Sequence, residues 1–116
     1  MKEIIKKTEL FADEIRQTDI YQKYRDLELQ IKDKAGLMPR IDEFRRQSFE
    51  IQISHRYGHF NSYERIIGLK NENEDLLSEP LVKAFLDAEL KLSKLLGKIY
   101  ETMAEVIEFD IDFLTK

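Results

Sequence analysis

Apolar side chains return along this chain in steps of three and four, the interval that brings them to one face of an α-helix. In the first segment Ile4, Ile5, Thr8, Phe11, Ala12 and Ile15 keep that spacing, with Lys6, Lys7, Glu9 and Asp13 falling mostly elsewhere, which predicts an amphipathic helix. Thr18 is placed to cap a second helix, because its hydroxyl can accept from an orphan amide one turn later. The stripe of that helix is Ile20, Tyr24, Leu27 and Ile31, and it should end before Ala35-Gly36. Pro39 suits the first turn of a third helix, where no amide partner is lost. Leu37, Ile41, Phe44, Ser48, Ile51 and His55 follow in heptad-like steps, and Phe49 and Ile53 widen the apolar face. Gly58 then interrupts the pattern and "YGHFN" reads as a connection.

A fourth helix is expected from about Ser62 to Leu77, with Asn61 and Glu64 at capping-box spacing and Tyr63, Ile66, Ile67 and Leu77 facing inward. Gly68, Asn71 and Asn73 make it the weakest of the set. Ser78 and Pro80 mark a restart into a fifth helix with the clearest signal in the chain. There Leu81, Phe85, Ala88, Leu92, Leu95, Ile99, Thr102, Val106, Phe109 and Phe113 keep a heptad register. From Leu81 to Phe109 such a helix would span ~44 Å at the standard rise, against an expected radius of gyration of about 13 Å for a chain of this length. Val82, Leu86, Leu96, Met103 and Ile107 add apolar surface beside that row. The pattern therefore predicts an all-α bundle of about five helices, one domain over residues 1–116, whose last helix packs on another subunit as well as on its own. The interface candidates are Leu81, Phe85, Leu92, Leu95, Ile99 and Val106.

Composition agrees: 42% hydrophobic and 36% charged residues with four glycines and two prolines favour helices and leave little material for turns. The absence of cysteine excludes disulfides, a thiol nucleophile and thiolate metal sites. The N-terminal MKEIIKKTEL is too interrupted by charge to be a signal peptide, and no stretch approaches the ~20 apolar residues of a membrane span, so a cytoplasmic protein without membrane insertion is expected. Residues 101–116 carry five acids and only Lys116, so the whole net charge of −4 lies there. The balanced remainder argues against DNA or broad nucleic-acid capture, which needs a basic stripe, but leaves room for a small local patch.

The chemistry-bearing stretch is "HRYGHF", residues 55–60. His55 and His59 would share a helix face within reach of a metal, but Gly58 breaks the helix and no third ligand has useful spacing, so no metal or cofactor is assigned. Arg56, Tyr57, His59 and Phe60 could clamp an unpaired RNA base or bind a partner, since such recognition joins cations to aromatic faces. The favoured alternative has Tyr57 and Phe60 covering the end of the bundle. Arg40, Arg45 and Arg46, interleaved with Asp42 and Glu43, read as solvated helix-face charges. There is no phosphate loop, metalloprotease pair or serine nucleophile motif, so no catalytic residue is assigned. A small helical enzyme with a pocket shared between subunits stays as a further alternative.

The stretch "TDIYQKYRDLELQIKDKAGLMPRIDEF", followed by "SEPLVKAFLDAELKLSKLLGKIYETMAEVI", resembles the YlbF/YmcA family of small helical proteins from Gram-positive bacteria. The resemblance spans nearly the whole chain and rests on the order of its parts. It implies a helical bundle that forms dimers or higher oligomers and acts as a non-catalytic adaptor. The best-known members work with a third protein and membrane-bound ribonuclease Y, biasing messenger-RNA processing and thereby competence, sporulation and biofilm formation. Related family proteins and the ribonuclease Y machinery are thus the implied partners. Members with iron–sulfur clusters use cysteines that this chain lacks, so no cluster ligand carries over.

Overall fold

A computed structural model describes residues 1–58, 61–108 and 110. Six α-helices and no strand occur among them: α1 Lys2–Arg16, α2 Asp19–Lys32, α3 Leu37–Arg56, α4 Ser62–Glu72, α5 Glu74–Leu77 and α6 Pro80–Ile107. The expected caps hold at two places. The Thr18 hydroxyl accepts from the Tyr21 amide at 3.2 Å while donating to the Ile15 carbonyl at 2.6 Å, so one side chain closes α1 and opens α2. Pro39 lies in the first turn of α3, as the missing amide proton allows.

The expected single helix over residues 62–77 is two. At Asn73 the side-chain amide donates to the Leu69 carbonyl at 2.9 Å, an acceptor it shares with its own backbone N–H at 3.2 Å, and α5 starts one residue later. Leu69 and Leu76 are the buried residues of this segment, whereas Tyr63 and Ile67, expected inside, are 77% and 41% exposed. Phe49, expected to widen the apolar face of α3, is also exposed. Asn61 adopts a left-handed conformation (φ 71°) and makes no side-chain cap bond, so the anticipated capping box does not form. Its backbone serves the chain reversal instead, a role asparagine tolerates better than most residues.

The chain forms two compact units, one of Met1–Tyr24 with the segment from Asp87 onward and one of Arg25–Leu86. The second unit holds the core. Leu27 and Ile31 of α2, Ile41 and Ile51 of α3, Leu69 of α4, Leu76 of α5, and Val82 and Phe85 of α6 are buried there. Each fully buried side chain of this size contributes about 1.5–3 kcal/mol through removal from water. The Arg45 guanidinium lies 5.6 Å from the centre of the Phe85 ring, close enough for a cation–π contact, so this arginine covers a core aromatic and is not merely a solvated charge.

The first unit is built differently. None of the fifteen residues of α1 is buried, although Ile4, Ile5, Leu10 and Phe11 are all apolar. Ile4, Phe11 and Ile15 line an apolar groove of about 370 Å³ together with Ile99 and Met103 of α6. The terminal helix is 28 residues long, close to the expected span, and Glu108 (φ 65°) turns the backbone left-handed just past its end. Phe109 and Phe113 lie outside the described residues.

Candidate functional site

Two surfaces carry the residues singled out from the sequence. Along α6 the heptad row loses cover from start to finish. Phe85 and Ala88 are buried, Leu81, Leu92, Leu95 and Ile99 are half-buried, Thr102 is exposed and Val106 is 79% exposed. Phe85 thus belongs to the core of its own chain. From Leu92 onward the row keeps apolar surface open, beside Leu96, Met103 and Ile107, each more than two-fifths exposed. Contiguous apolar exposure of this kind marks interaction surfaces in folded proteins.

The second surface is the end of the α3–α4 hairpin. Tyr57 caps α3, and two left-handed residues, Gly58 (φ 79°) and Asn61, bracket the turn. Gly58 needs no space for a side chain, since nothing lies within 4 Å of the position a Cβ would take; its backbone angle is what calls for glycine. The two helices run antiparallel from this turn and are pinned by cross-helix polar contacts. His55 Nδ1 lies 2.8 Å from Ser62 Oγ, and the Arg65 guanidinium donates to Ser54 Oγ at 3.3 Å. Between them opens a cavity of about 460 Å³, lined by Ile51, Gln52, His55, Arg56, Ser62, Tyr63 and Ile66.

Of the four residues proposed here from sequence, His59 and Phe60 lie outside the described residues. Arg56 is exposed on the cavity rim, and Tyr57 is 79% exposed, so it does not cover the end of the bundle as the favoured sequence reading had it. The reason is geometric: Tyr57 sits at the C-cap of α3, where the chain has already turned away from the helix face that packs on α4. Sequence reasoning missed Gln52, Ser62, Tyr63 and Ile66. Their signal was their distance from the turn, because residues equally far from a tight hairpin turn come face to face once the reversal is placed.

The remaining arginines of α3 are engaged. Arg46 pairs with Glu43 and Glu50 on its own helix, and its hydrogen bond to Glu43, helped by Gln47, holds that carboxylate below its ordinary value. Arg40 reaches across to α5, where it makes two bonds to Asp75 at 2.7 and 3.0 Å. Those bonds, with support from the Leu76 amide, hold the Asp75 carboxyl down at about 2. Sequence spacing gave no sign of this contact, which joins residues 35 positions apart. No group of three potential metal ligands comes together among the described residues, and no described helix is long and apolar enough to cross a membrane.

Comparison with known proteins places residues 4–108 in a match to the family model described as control of competence regulator ComK, YlbF/YmcA. A curated relative, UPF0342 protein STH1710 of Symbiobacterium thermophilum, is 24% identical over 102 residues, covering 88% of this chain and 91% of its own. No solved structure matches the chain.

Proposed function

Because this chain belongs to the YlbF/YmcA family, whose description is control of the competence regulator ComK, we propose that it is a non-catalytic adaptor that self-associates and binds other regulatory proteins. The observation that carries this reading is the apolar surface left open in the first unit: Ile4, Phe11, Met103, Val106 and Ile107 are between 42% and 79% exposed. Two helices alone cannot bury an apolar face on both sides, so a second protein surface is needed to remove it from water. A second copy supplies the same residues in a symmetric pair, the commonest way soluble chains close such a surface.

In the finer form of the proposal the assembly acts in the cytoplasm on ribonuclease Y-dependent messenger-RNA processing, together with related family proteins, and so influences competence, sporulation and biofilm formation. Its support is the family alone. The reading assigns no chemistry to the chain.

Sedimentation equilibrium of the full chain tests the foundation. A dimer or larger species at micromolar concentration, converted to monomer by Val106→Asp, is the expected result, whereas a monomer across that range would remove the reading. Direct titration of purified ribonuclease Y lacking its membrane anchor tests the finer form, with no association counting against it.

A further inference from the structure

At the α3–α4 hairpin end, exposed aromatic, cationic and carboxamide groups border an open cavity. Arg56 is exposed on its rim and, among the described residues, has no hydrogen-bond or ion-pair partner, unlike Arg40, Arg45 and Arg46 on the same helix. Tyr63 lines the cavity yet is 77% exposed, a large ring left open where packing would have covered it. Ile51 and Ile66 give the cavity apolar lining, and Gln52 contributes a carboxamide. The cavity measures about 460 Å³ and lies open to solvent.

From this combination we infer that the hairpin end binds one unpaired nucleotide of a single-stranded RNA. The requirements match group by group. A flat base needs an aromatic or apolar face to lie on, which Tyr63 and Ile66 offer. Its polar edge presents donors and acceptors side by side, and the Gln52 carboxamide carries one of each. The linking phosphate needs a cation whose charge is not already spent, and Arg56 supplies it. Tyr57, adjacent to Arg56 and 79% exposed, offers a second ring to a neighbouring base.

The charge balance of the chain sets the strength and selectivity. With a net charge of −4 and no basic stripe, the protein cannot hold a long run of phosphates, so binding is weak and local. Duplex DNA is disfavoured because its bases are stacked inside and present no free face. An acidic peptide would satisfy Arg56 and its backbone would serve the carboxamide, but without an aromatic side chain it would leave the ring uncovered. The inference goes beyond the adaptor role and does not depend on self-association.

Titration of the full chain with a six-nucleotide single-stranded RNA, followed by amide and tyrosine ring NMR shifts at low salt, tests it. Shifts should centre on residues 51–57 and 62–66, and log affinity should fall with log salt at a slope of roughly −0.7 for one phosphate. Tyr63→Ala should weaken binding by about 5- to 160-fold, the worth of one stacked base. Arg56→Ala should flatten the salt slope, and Gln52→Ala should change base preference while leaving that slope intact. Both Tyr63 and Arg56 are exposed, so their variants should keep the far-ultraviolet circular dichroism of the parent. Absence of RNA-induced shifts at low salt, or binding unchanged in both Tyr63→Ala and Arg56→Ala, would overturn the assignment. So would an acidic peptide binding as tightly as RNA, or adenosine monophosphate binding as tightly as the hexamer, which would point to a free nucleotide instead.

Discussion

The Arg40 guanidinium grips the Asp75 carboxylate through two hydrogen bonds, tying the first turns of α3 to the four-residue helix α5. A helix of one turn has almost no stability of its own, because nucleation costs more than one turn of bonds returns. Its place depends on this clasp and on the burial of Leu76, which is 2% exposed.

Acid should open the clasp. The Asp75 carboxyl is lowered from 3.8 to about 2 in the folded chain, so its contribution is fully present above the ordinary value and is lost as pH falls through that interval. Urea unfolding between about pH 5 and pH 2 should show stability declining in this window, with a shallower decline in Asp75→Asn. An equal decline in the two proteins would assign the acid sensitivity to other carboxylates, such as Glu43.

Buried and half-buried members of the α6 row should separate by concentration. Phe85→Ala removes a fully buried ring and should cost about 3–5 kcal/mol at any protein concentration. Leu92→Ala and Leu95→Ala remove half-buried side chains, so the loss of about 2–5 kcal/mol expected of a buried leucine should appear only where the assembly forms. Denaturant unfolding at two concentrations distinguishes the patterns, and a concentration-independent result for all three would place the row inside a single chain.

Two glycines should respond in opposite directions. Gly58→Ala puts a side chain on a left-handed residue and should destabilise by about 1–2 kcal/mol, loosening the α3–α4 turn. Gly68→Ala, inside α4 with open space around it, should stabilise by roughly 0.5–1 kcal/mol by removing backbone freedom from the unfolded chain. Thermal melts of the pair check both signs.

Thr18→Ala should cost about 1 kcal/mol, since it strands the Tyr21 amide at the start of α2. Thr18→Ser keeps the oxygen and should recover most of that loss. A neutral alanine variant would mean that water replaces the cap.

Periodicity alone was enough for the helical class, the Thr18 cap, the turn at Gly58 and the long terminal helix, because each depends on residues within one or two turns of each other. The break at Asn73 was not legible, since a side-chain bond to the Leu69 carbonyl competes there with a continuous apolar stripe, and spacing cannot say which wins. Nor was the burial of Leu69 and Leu76, which is decided by the elements packed against them. The hairpin cavity was half legible: His55 and Arg56 stood out by residue type, while Gln52, Ser62, Tyr63 and Ile66 joined them only when the chain reversed. Local sequence sets which segments can coil and which face of each is apolar; only tertiary packing decides how much of that face finds cover, because cover depends on residues distant along the chain. That is why Phe85 and Val106, members of one heptad row, end at opposite extremes of exposure.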